Sequence, residues 1–337
     1  MGRGVITAVG SLAGLVALAL WHPVRVAFQA LLLLPAVFPS APLDALDLAP
    51  APARTEHTLA YAGGQIHMDL FHPAGGGRHG AIVLLLGAGD VPRSDLAVRF
   101  ADALARSGVV AALPQSDGLL AERLTFDEVD GIRAEVNLLA GLPDVDGSRI
   151  GVLGLSAAGG LAIVAAAQPD LRDRIAFVNS FGSYFDARSL LLEVGSRSID
   201  VDGDLRPWMP EQRTLDVIAA SFEAPGVAVL LAGTSRERAR AIIDGLPSDS
   251  LAALERISPV AYAHELRARL YVMHDVDDTF IPFTESRAMA RTMSVQRYTE
   301  FAIFAHVIPD KPVPLQTFVP DVWRLFWHVH AVLLEVL

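Results

Sequence analysis

The chain of 337 residues contains no cysteine, and only one of its 27 basic residues is a lysine. Without cysteine, disulfide bonds, thiolate metal sites and a cysteine nucleophile are excluded. Charged residues are scarce, at 19% of the chain, whereas hydrophobic residues make up 52%. This much apolar surface excludes intrinsic disorder and indicates that part of the chain contacts lipid. The formal net charge of −11 argues against a nucleic-acid partner.

Two apolar runs lie near the amino terminus. The first, Val5 to Leu20, follows Arg3 and contains no charged residue. With 16 residues, this run is near the lower limit of about 17–25 residues for a membrane-spanning helix, and we expect it to be an uncleaved single-pass anchor. A cleaved signal peptide and a helical hairpin or buried helix are the alternatives. With Arg3 in the cytoplasm, a single span places the body outside the cytoplasm, whereas a hairpin returns it.

The second run, Val26 to Phe38, is too short to span a bilayer and either lies in the interface or packs on the body. Five prolines follow between positions 35 and 52. Proline this dense keeps the chain extended and marks a linker. We therefore predict an apolar membrane segment at residues 1–40 and a linker at residues 41–57.

From residue 58 onward, strand patterns alternate with helix patterns. We predict strands at 65–71, 81–86, 109–113, 150–155, 175–178, 270–274 and 297–304. We predict helices at 94–107, 125–142, 157–168, 284–293 and near 314–336. A Thr125-x-x-Glu128 capping box is expected to begin the second of these helices. The alternation predicts an α/β fold with a doubly wound, mostly parallel sheet.

The alternation breaks down over residues 183–269. This region contains three helical patterns, at 187–194, 214–222 and 235–246, and a broken stretch from Gly203 to Pro210. An insertion of this size between two strands is typical of a cap over one end of a sheet. We therefore predict a core of residues 58–182 and 270–337, with residues 183–269 forming the cap.

Ser156 is the candidate nucleophile. It lies between a predicted buried strand and a helix, in the sequence GLSAAGG at 154–160. Small neighbours are needed because a serine on a tight strand-to-helix turn has strained backbone angles that crowd adjacent side chains. The Ala157 amide, at the helix N-terminus, is oriented toward developing negative charge. The alternatives are an ordinary glycine-rich crossover turn or a phosphate-binding loop.

With this turn, residues 58–337 resemble the α/β-hydrolase superfamily, although the fifth residue of its G-x-S-x-G motif is Ala158 here. Two later segments are similar to the same family: HDVDDTFIP at 274–282, and His306 just after the last predicted strand. The resemblance implies a triad of Ser156, Asp278 and His306, in the chain order of that family. His306 would act as the base for Ser156, and Asp278 would orient His306. We expect Asp275 and Asp277, the acidic neighbours of Asp278, to stay solvated. The acidic cluster of these three residues could instead bind a cation.

The resemblance also implies an oxyanion hole of two backbone amides. Ala157 supplies one of them. The segment LGAGD at 86–90 occupies the position of the second, and we expect the Ala88 amide to be the donor, with Gly89 as the alternative. Neither a cofactor nor a bound metal is implied.

The leading functional hypothesis is a membrane-anchored serine hydrolase that cleaves apolar, lipid-like carboxylic esters through an acyl-enzyme. Leucine-rich stretches of the cap would form an apolar wall for the substrate. A thioesterase or acyltransferase would use the same triad and differ only in the acyl donor or acceptor. A catalytically silent hydrolase fold that serves as a membrane-tethered binding module is an alternative of another class.

Overall fold

A computed structural model describes residues 21–38, 49–89, 94–309 and 311–337. In these residues ten strands occur: β1 (Ala53–Tyr61), β2 (Gly64–His72), β3 (His79–Leu85), β4 (Val110–Ser116), β5 (Val145–Leu155), β6 (Ile175–Phe181), β7 (Ser198–Val201), β8 (Asp204–Pro207), β9 (Arg269–Asp275) and β10 (Val295–Phe301). The helices outside residues 183–269 are α1 (His22–Val37), α2 (Asp95–Arg106), α3 (Asp117–Leu120), α4 (Asp127–Gly141), α5 (Ala157–Ala166), α11 (Phe283–Thr292) and α12 (Leu315–Leu333). Those within residues 183–269 are α6 (Ala187–Ser196), α7 (Gln212–Ser221), α8 (Val227–Ala232), α9 (Arg236–Asp244) and α10 (Ser248–Ile257).

Eight strands form one sheet in the order β1-β2-β4-β3-β5-β6-β9-β10. β2 pairs antiparallel with both β1 and β4, and all the other pairs are parallel. The predicted α/β class with a mostly parallel sheet is confirmed. Because β5 lies between β3 and β6, its carboxyl end, and therefore residue 156, lies in the middle of one sheet edge.

Two apolar clusters cover the two faces of this sheet. One contains the buried side chains of α4 and α5, together with those of the helices in residues 183–269. The other contains the buried side chains of α1, α2 and α12. The central strands are buried on both faces, and this explains the continuous apolar sequence of β3.

Helix α1 belongs to the folded body. It buries Val26, Ala30, Leu33, Leu34 and Ala36, and the Phe38 ring that follows it lies 5.6 Å from the ring of Phe318 in α12. The predicted membrane segment at residues 1–40 therefore has two parts. Residues 1–20, including the apolar run from Val5, lie outside the described residues. The second apolar run packs on the sheet, as one of the two alternatives for it required.

The cap is the insertion of residues 183–269 between β6 and β9, which are neighbours in the sheet. The structure places helices at its three helical patterns and adds two more. The stretch from Gly203 to Pro210 contains strand β8, which forms a hairpin with β7. Short two-stranded hairpins of this kind lack a long alternating pattern, so the sequence indicated only a break.

Two local predictions were wrong. Strand β1 begins at Ala53, inside the predicted linker, because pairing with β2 decides its structure rather than its own sequence. The Thr125-x-x-Glu128 capping box does not form, and the N-cap of α4 is Phe126. The Glu128 carboxylate instead accepts hydrogen bonds from Tyr61 Oη at 2.6 Å and Ser116 Oγ at 2.7 Å. This tertiary partner is invisible to a local motif.

Candidate active site

Ser156 occupies a strained turn between β5 and α5. Its backbone has φ 56° and ψ −143°, a combination that is rare for a residue with a side chain and that clusters at functional sites. The Ser156 amide donates to the Phe181 carbonyl at 2.8 Å, which fixes the turn to the neighbouring strand. The strain predicted from the sequence is therefore present at this serine.

The small residues around Ser156 are required by close packing. A Cβ atom added at Gly154 would lie 2.5 Å from the Cα of Gly159, and one added at Gly87 would lie 2.7 Å from the Cβ of Ser156. Neither distance is possible for a real side chain. Ala158, which replaces the glycine of the usual motif, is buried with its methyl group in the core, so this position accepts alanine.

His306 and Asp278 are brought together by the loops after β10 and β9. The His306 Nδ1 lies 2.6 Å from Asp278 Oδ2, within the range of a charge-assisted hydrogen bond. The opposite ring nitrogen, Nε2, is buried and has no hydrogen-bond partner in the described part of the chain. A buried, unpaired imidazole nitrogen is costly in a merely structural histidine and is available to take a proton.

Asp278 is held as a carboxylate. Burial by itself raises its pKa, but the charge of His306 and the hydrogen bonds from His274 and His306 outweigh burial, so the pKa of Asp278 lies well below its usual value. Its Oδ1 also accepts from the backbone amides of Phe280 at 2.8 Å and Ile281 at 3.1 Å. Asp278 is therefore ionised at neutral pH and is oriented toward the His306 ring.

The acidic neighbours of Asp278 differ from our expectation that both would be solvated. Asp277 is exposed and pairs with Lys311. Asp275 is completely buried and accepts from the amides of Asp277 at 3.0 Å and Phe304 at 2.8 Å. Burial raises the pKa of Asp275. Because Phe304 lies two residues before His306, Asp275 connects the loop that carries Asp278 to the loop that carries His306. The spacing of these residues in the sequence did not reveal this role.

The two amides predicted for the oxyanion hole are those of Ala88 and Ala157. Both residues line the same cavity. Ala157 is the first residue of α5, where an amide has no acceptor within the helix. Gly89, the alternative donor, instead donates to the Leu119 carbonyl at 2.6 Å. The Ala88 carbonyl accepts from Arg213 Nη2 at 2.9 Å, so a cap residue holds this peptide unit.

A cavity of about 630 Å³ contains Ser156 and His306 in its lining. Its walls come from the sheet, from the cap and from helices α1, α2 and α12, and most of the lining side chains are apolar. The structure thus brings Ser156, His306, Ala88 and Ala157 to one cavity, with Asp278 hydrogen-bonded behind His306.

Several residues of the site were not singled out from the sequence. The Phe280 ring stacks on the His306 ring at 4.7 Å between centroids and 16° between planes. Trp208 Nε1, from the cap, donates to the Asp278 carbonyl at 2.8 Å. His274, interpreted only as part of a loop motif, lies with Nε2 3.2 Å from Asp278 Oδ2. No periodicity marks these contacts, because those of Phe280 and Trp208 join segments far apart in the chain and that of His274 depends on the conformation of its own loop.

No protein-family model matches the sequence, and no curated protein sequence matches it. Solved structures do match its fold. A 2,6-dihydroxy-pseudo-oxynicotine hydrolase is 19% identical, with a TM-score of 0.56 over 84% of this chain and 68% of that one. Est1E from Butyrivibrio proteoclasticus is 14% identical, with a TM-score of 0.55 over 83% of this chain and 98% of that one.

A puromycin-hydrolyzing peptidase of Mycobacterium tuberculosis is 16% identical, with a TM-score of 0.56 over 87% of this chain. This chain spans only 41% of that peptidase. At these identities the similarity concerns the fold. The common element is the mostly parallel sheet with its helices. The chain has the α/β-hydrolase fold.

Proposed function

We propose that this protein is a serine hydrolase that cleaves carboxylic esters with apolar substituents. The observation that carries the proposal is His306: one ring nitrogen is hydrogen-bonded to a buried carboxylate, and the other is unpaired in the cavity that contains Ser156. This is the arrangement that a base for a serine hydroxyl requires.

In the proposed reaction, His306 Nε2 takes the proton of Ser156 Oγ as the oxygen attacks the ester carbonyl carbon. The carbonyl oxygen becomes an oxyanion, and the amides of Ala88 and Ala157 stabilise it. His306 then gives its proton to the departing alkoxide. Water hydrolyses the acyl-enzyme by the same steps, again with His306 as the base. Throughout, the Asp278 carboxylate stabilises the imidazolium and keeps the hydrogen of the neutral ring on Nδ1.

The apolar lining of the cavity supports an apolar ester as the substrate. We expect kcat/KM for p-nitrophenyl butyrate to be at least about 100-fold higher than kcat/KM for the p-nitroanilide of the same acyl group, because p-nitroaniline is a poorer leaving group than p-nitrophenolate. The same acyl group in both compounds makes the comparison a test of the bond cleaved. Faster cleavage of the anilide would favour a peptidase, and formation of new acyl esters with added alcohols would favour an acyltransferase.

We also propose that the protein attaches to membranes through its amino-terminal part. None of the helices in the described ranges is both long and apolar enough to cross a bilayer. Helices α1 and α12 nevertheless expose a set of large apolar side chains, which we call the aromatic surface: Trp21, Phe28, Leu31, Leu315, Val319, Trp323 and Trp327. Tryptophan-rich surfaces favour the membrane interface.

Two further observations favour a lipid bilayer as the partner of the aromatic surface. The uncharged run from Val5 to Leu20 ends at Trp21, which is itself part of this surface. The only carboxylate within α1 and α12 is that of Asp321, which is buried and pairs with Arg324, whereas Arg25 is exposed. The two helices therefore carry a net positive charge, which favours anionic lipid headgroups.

Flotation with vesicles of phosphatidylcholine and phosphatidylserine tests this attachment. We expect the full chain to float, and a chain without residues 1–20 to float more weakly. In that shortened chain, Phe28→Gln with Trp323→Gln should abolish flotation, because both exposed rings belong to the aromatic surface. Leu205→Gln, at an equally exposed apolar residue of the cap, is the matched control and should float normally. Equal flotation of all shortened variants would contradict a role for the surface.

A further inference from the structure

Two leucines of the central strand retain accessible surface. Leu153 and Leu155 belong to β5, which is flanked by strands on both sides and covered by helices on both faces. A strand in this position is normally buried along its whole length. Both leucines line the cavity that contains Ser156. The cavity therefore continues beneath the helices, along the face of the sheet.

The strand register defines the floor of this extension. Leu155 is paired with Phe181, and one step further from Ser156, Leu153 lies between Leu84 and Asn179. Ile82, two residues before Leu84 on the same face, also lines the cavity. The floor thus runs from the Ser156 end of the strands over about four residue positions, or roughly 13 Å at ~3.3 Å per residue.

The roof consists of the three helices that cover this face. Leu33 and Ala36 of α1, Phe100 of α2, and Val329 and Val332 of α12 line it. All five side chains are hydrocarbon. The part of the cavity between this roof and the strand floor is called the sheet chamber below. It lies on the face of the sheet that α1, α2 and α12 cover, away from the cap.

The polar groups of the sheet chamber are already paired. Asn179 Oδ1 lies 2.8 Å from His328 Nε2, and Thr299 Oγ1 lies 2.8 Å from His328 Nδ1. Burial, with a smaller contribution from Arg297, lowers the pKa of His328 to about 3, so this ring is neutral at pH 7. The charged residues in the cavity lining, Asp127, Arg213 and Arg256, come from α4 and the cap.

We infer that the sheet chamber binds an unbranched aliphatic chain of the ester substrate, with the ester group at Ser156. The inference rests on the proposed function and adds a substrate class to it: esters with one long alkyl chain. Its basis is the site itself, which extends along the sheet beneath three helices and is walled by hydrocarbon. A chain that lies there passes the neutral Asn179–His328 pair, and its far end lies toward Ile82.

Filling the chamber tests the inference. Leu153→Trp adds a large ring where the native side chain borders open space. The substrates are p-nitrophenyl acetate, octanoate and dodecanoate, together with acetates of alcohols of the same chain lengths. We expect Leu153→Trp to lower kcat/KM by tenfold or more for either p-nitrophenyl dodecanoate or dodecyl acetate. Each methylene group kept from burial lowers kcat/KM about fourfold. Activity on p-nitrophenyl acetate should stay within about twofold.

Leu142→Trp is the matched control, since Leu142 is also a half-buried leucine but packs on the opposite face of the sheet and is not among the residues that line the cavity. It should leave the chain-length preference of the affected series unchanged. Ala36→Leu is a second, smaller substitution in the roof of the chamber, and it should shift the preference in the same direction as Leu153→Trp. If Leu153→Trp does not fold, as judged by its thermal transition, Ala36→Leu decides the outcome alone.

The two possible failures are distinguishable. A wild-type protein that does not hydrolyse any of the esters contradicts the proposed function, and binding of pyrene-labelled dodecanoic acid then tests the chamber without catalysis. Wild-type binding that Leu153→Trp or Ala36→Leu weakens tenfold would still support the chamber. Hydrolysis of the long esters, or binding of the fatty acid, that neither substitution changes would overturn the inference.

Discussion

Replacement of Ser156 by alanine is expected to lower kcat for ester hydrolysis by about 10⁶-fold, the typical loss when a triad nucleophile is removed. The protein should remain folded, because the Ser156 hydroxyl makes no hydrogen bond to any described residue and alanine keeps the same Cβ at the tight approach to Gly87. Initial rates on p-nitrophenyl butyrate and a thermal unfolding curve measure both effects.

Ser221→Ala provides the matched control for this prediction. Ser221 also lines the cavity, but its hydroxyl accepts from the Leu124 amide at 2.7 Å and so has a structural partner. The control should lose some stability and keep most of the wild-type kcat. A Ser156→Ala protein that retained more than a tenth of the activity would show that another group is the nucleophile.

Asp278→Asn should produce the second largest effect, a fall in kcat of about 10⁴-fold. The Asp278 carboxylate accepts from His306 Nδ1 and from two backbone amides. An asparagine amide can present only one oxygen to these donors, and its NH₂ group toward His306 would favour the wrong tautomer. The rate should therefore fall even where circular dichroism shows an intact fold.

Asparagine substitutions of the neighbouring aspartates distinguish the loss of the carboxylate beside His306 from a general loss of negative charge in this loop. Asp277→Asn should behave like the wild type, because Asp277 is exposed and contacts only Lys311 and its own loop. Asp275→Asn should mainly reduce stability, by about 1–3 kcal/mol, since this buried carboxylate accepts from two amides. If Asp277→Asn were the most damaging of the three, the register of the acid loop would be wrong.

The mostly parallel sheet could be predicted from local sequence, and so could the positions of Ser156, Asp278 and His306 after strands of that sheet. Continuous apolar runs identify buried parallel strands, and the glycines around Ser156 reflect a turn that excludes larger side chains. The insertion between β6 and β9 likewise could be recognised from a loss of alternation over residues 183–269. These features need no knowledge of which distant segments meet.

Features that depend on distant partners could not be predicted. Glu128 was assigned to a capping box, yet its partners are Tyr61 and Ser116. Asp275 was expected in solvent, yet it is buried and accepts a hydrogen bond from the Phe304 amide. The second apolar run was ambiguous for the same reason. Helix α1 covers one face of the sheet, but the sequence of an apolar helix does not show whether it packs on a sheet or on a membrane.

The most direct test of the account is the site at which a fluorophosphonate reacts with the wild-type protein. Such a probe is attacked only by an activated serine, and peptide mass spectrometry identifies the modified residue. We predict a single adduct on Ser156 that forms at least about 100-fold more slowly in His306→Gln, because that variant lacks the base. A folded wild-type protein that stays unlabelled, or one labelled on a different serine, would contradict the assignment of Ser156 and His306 as nucleophile and base.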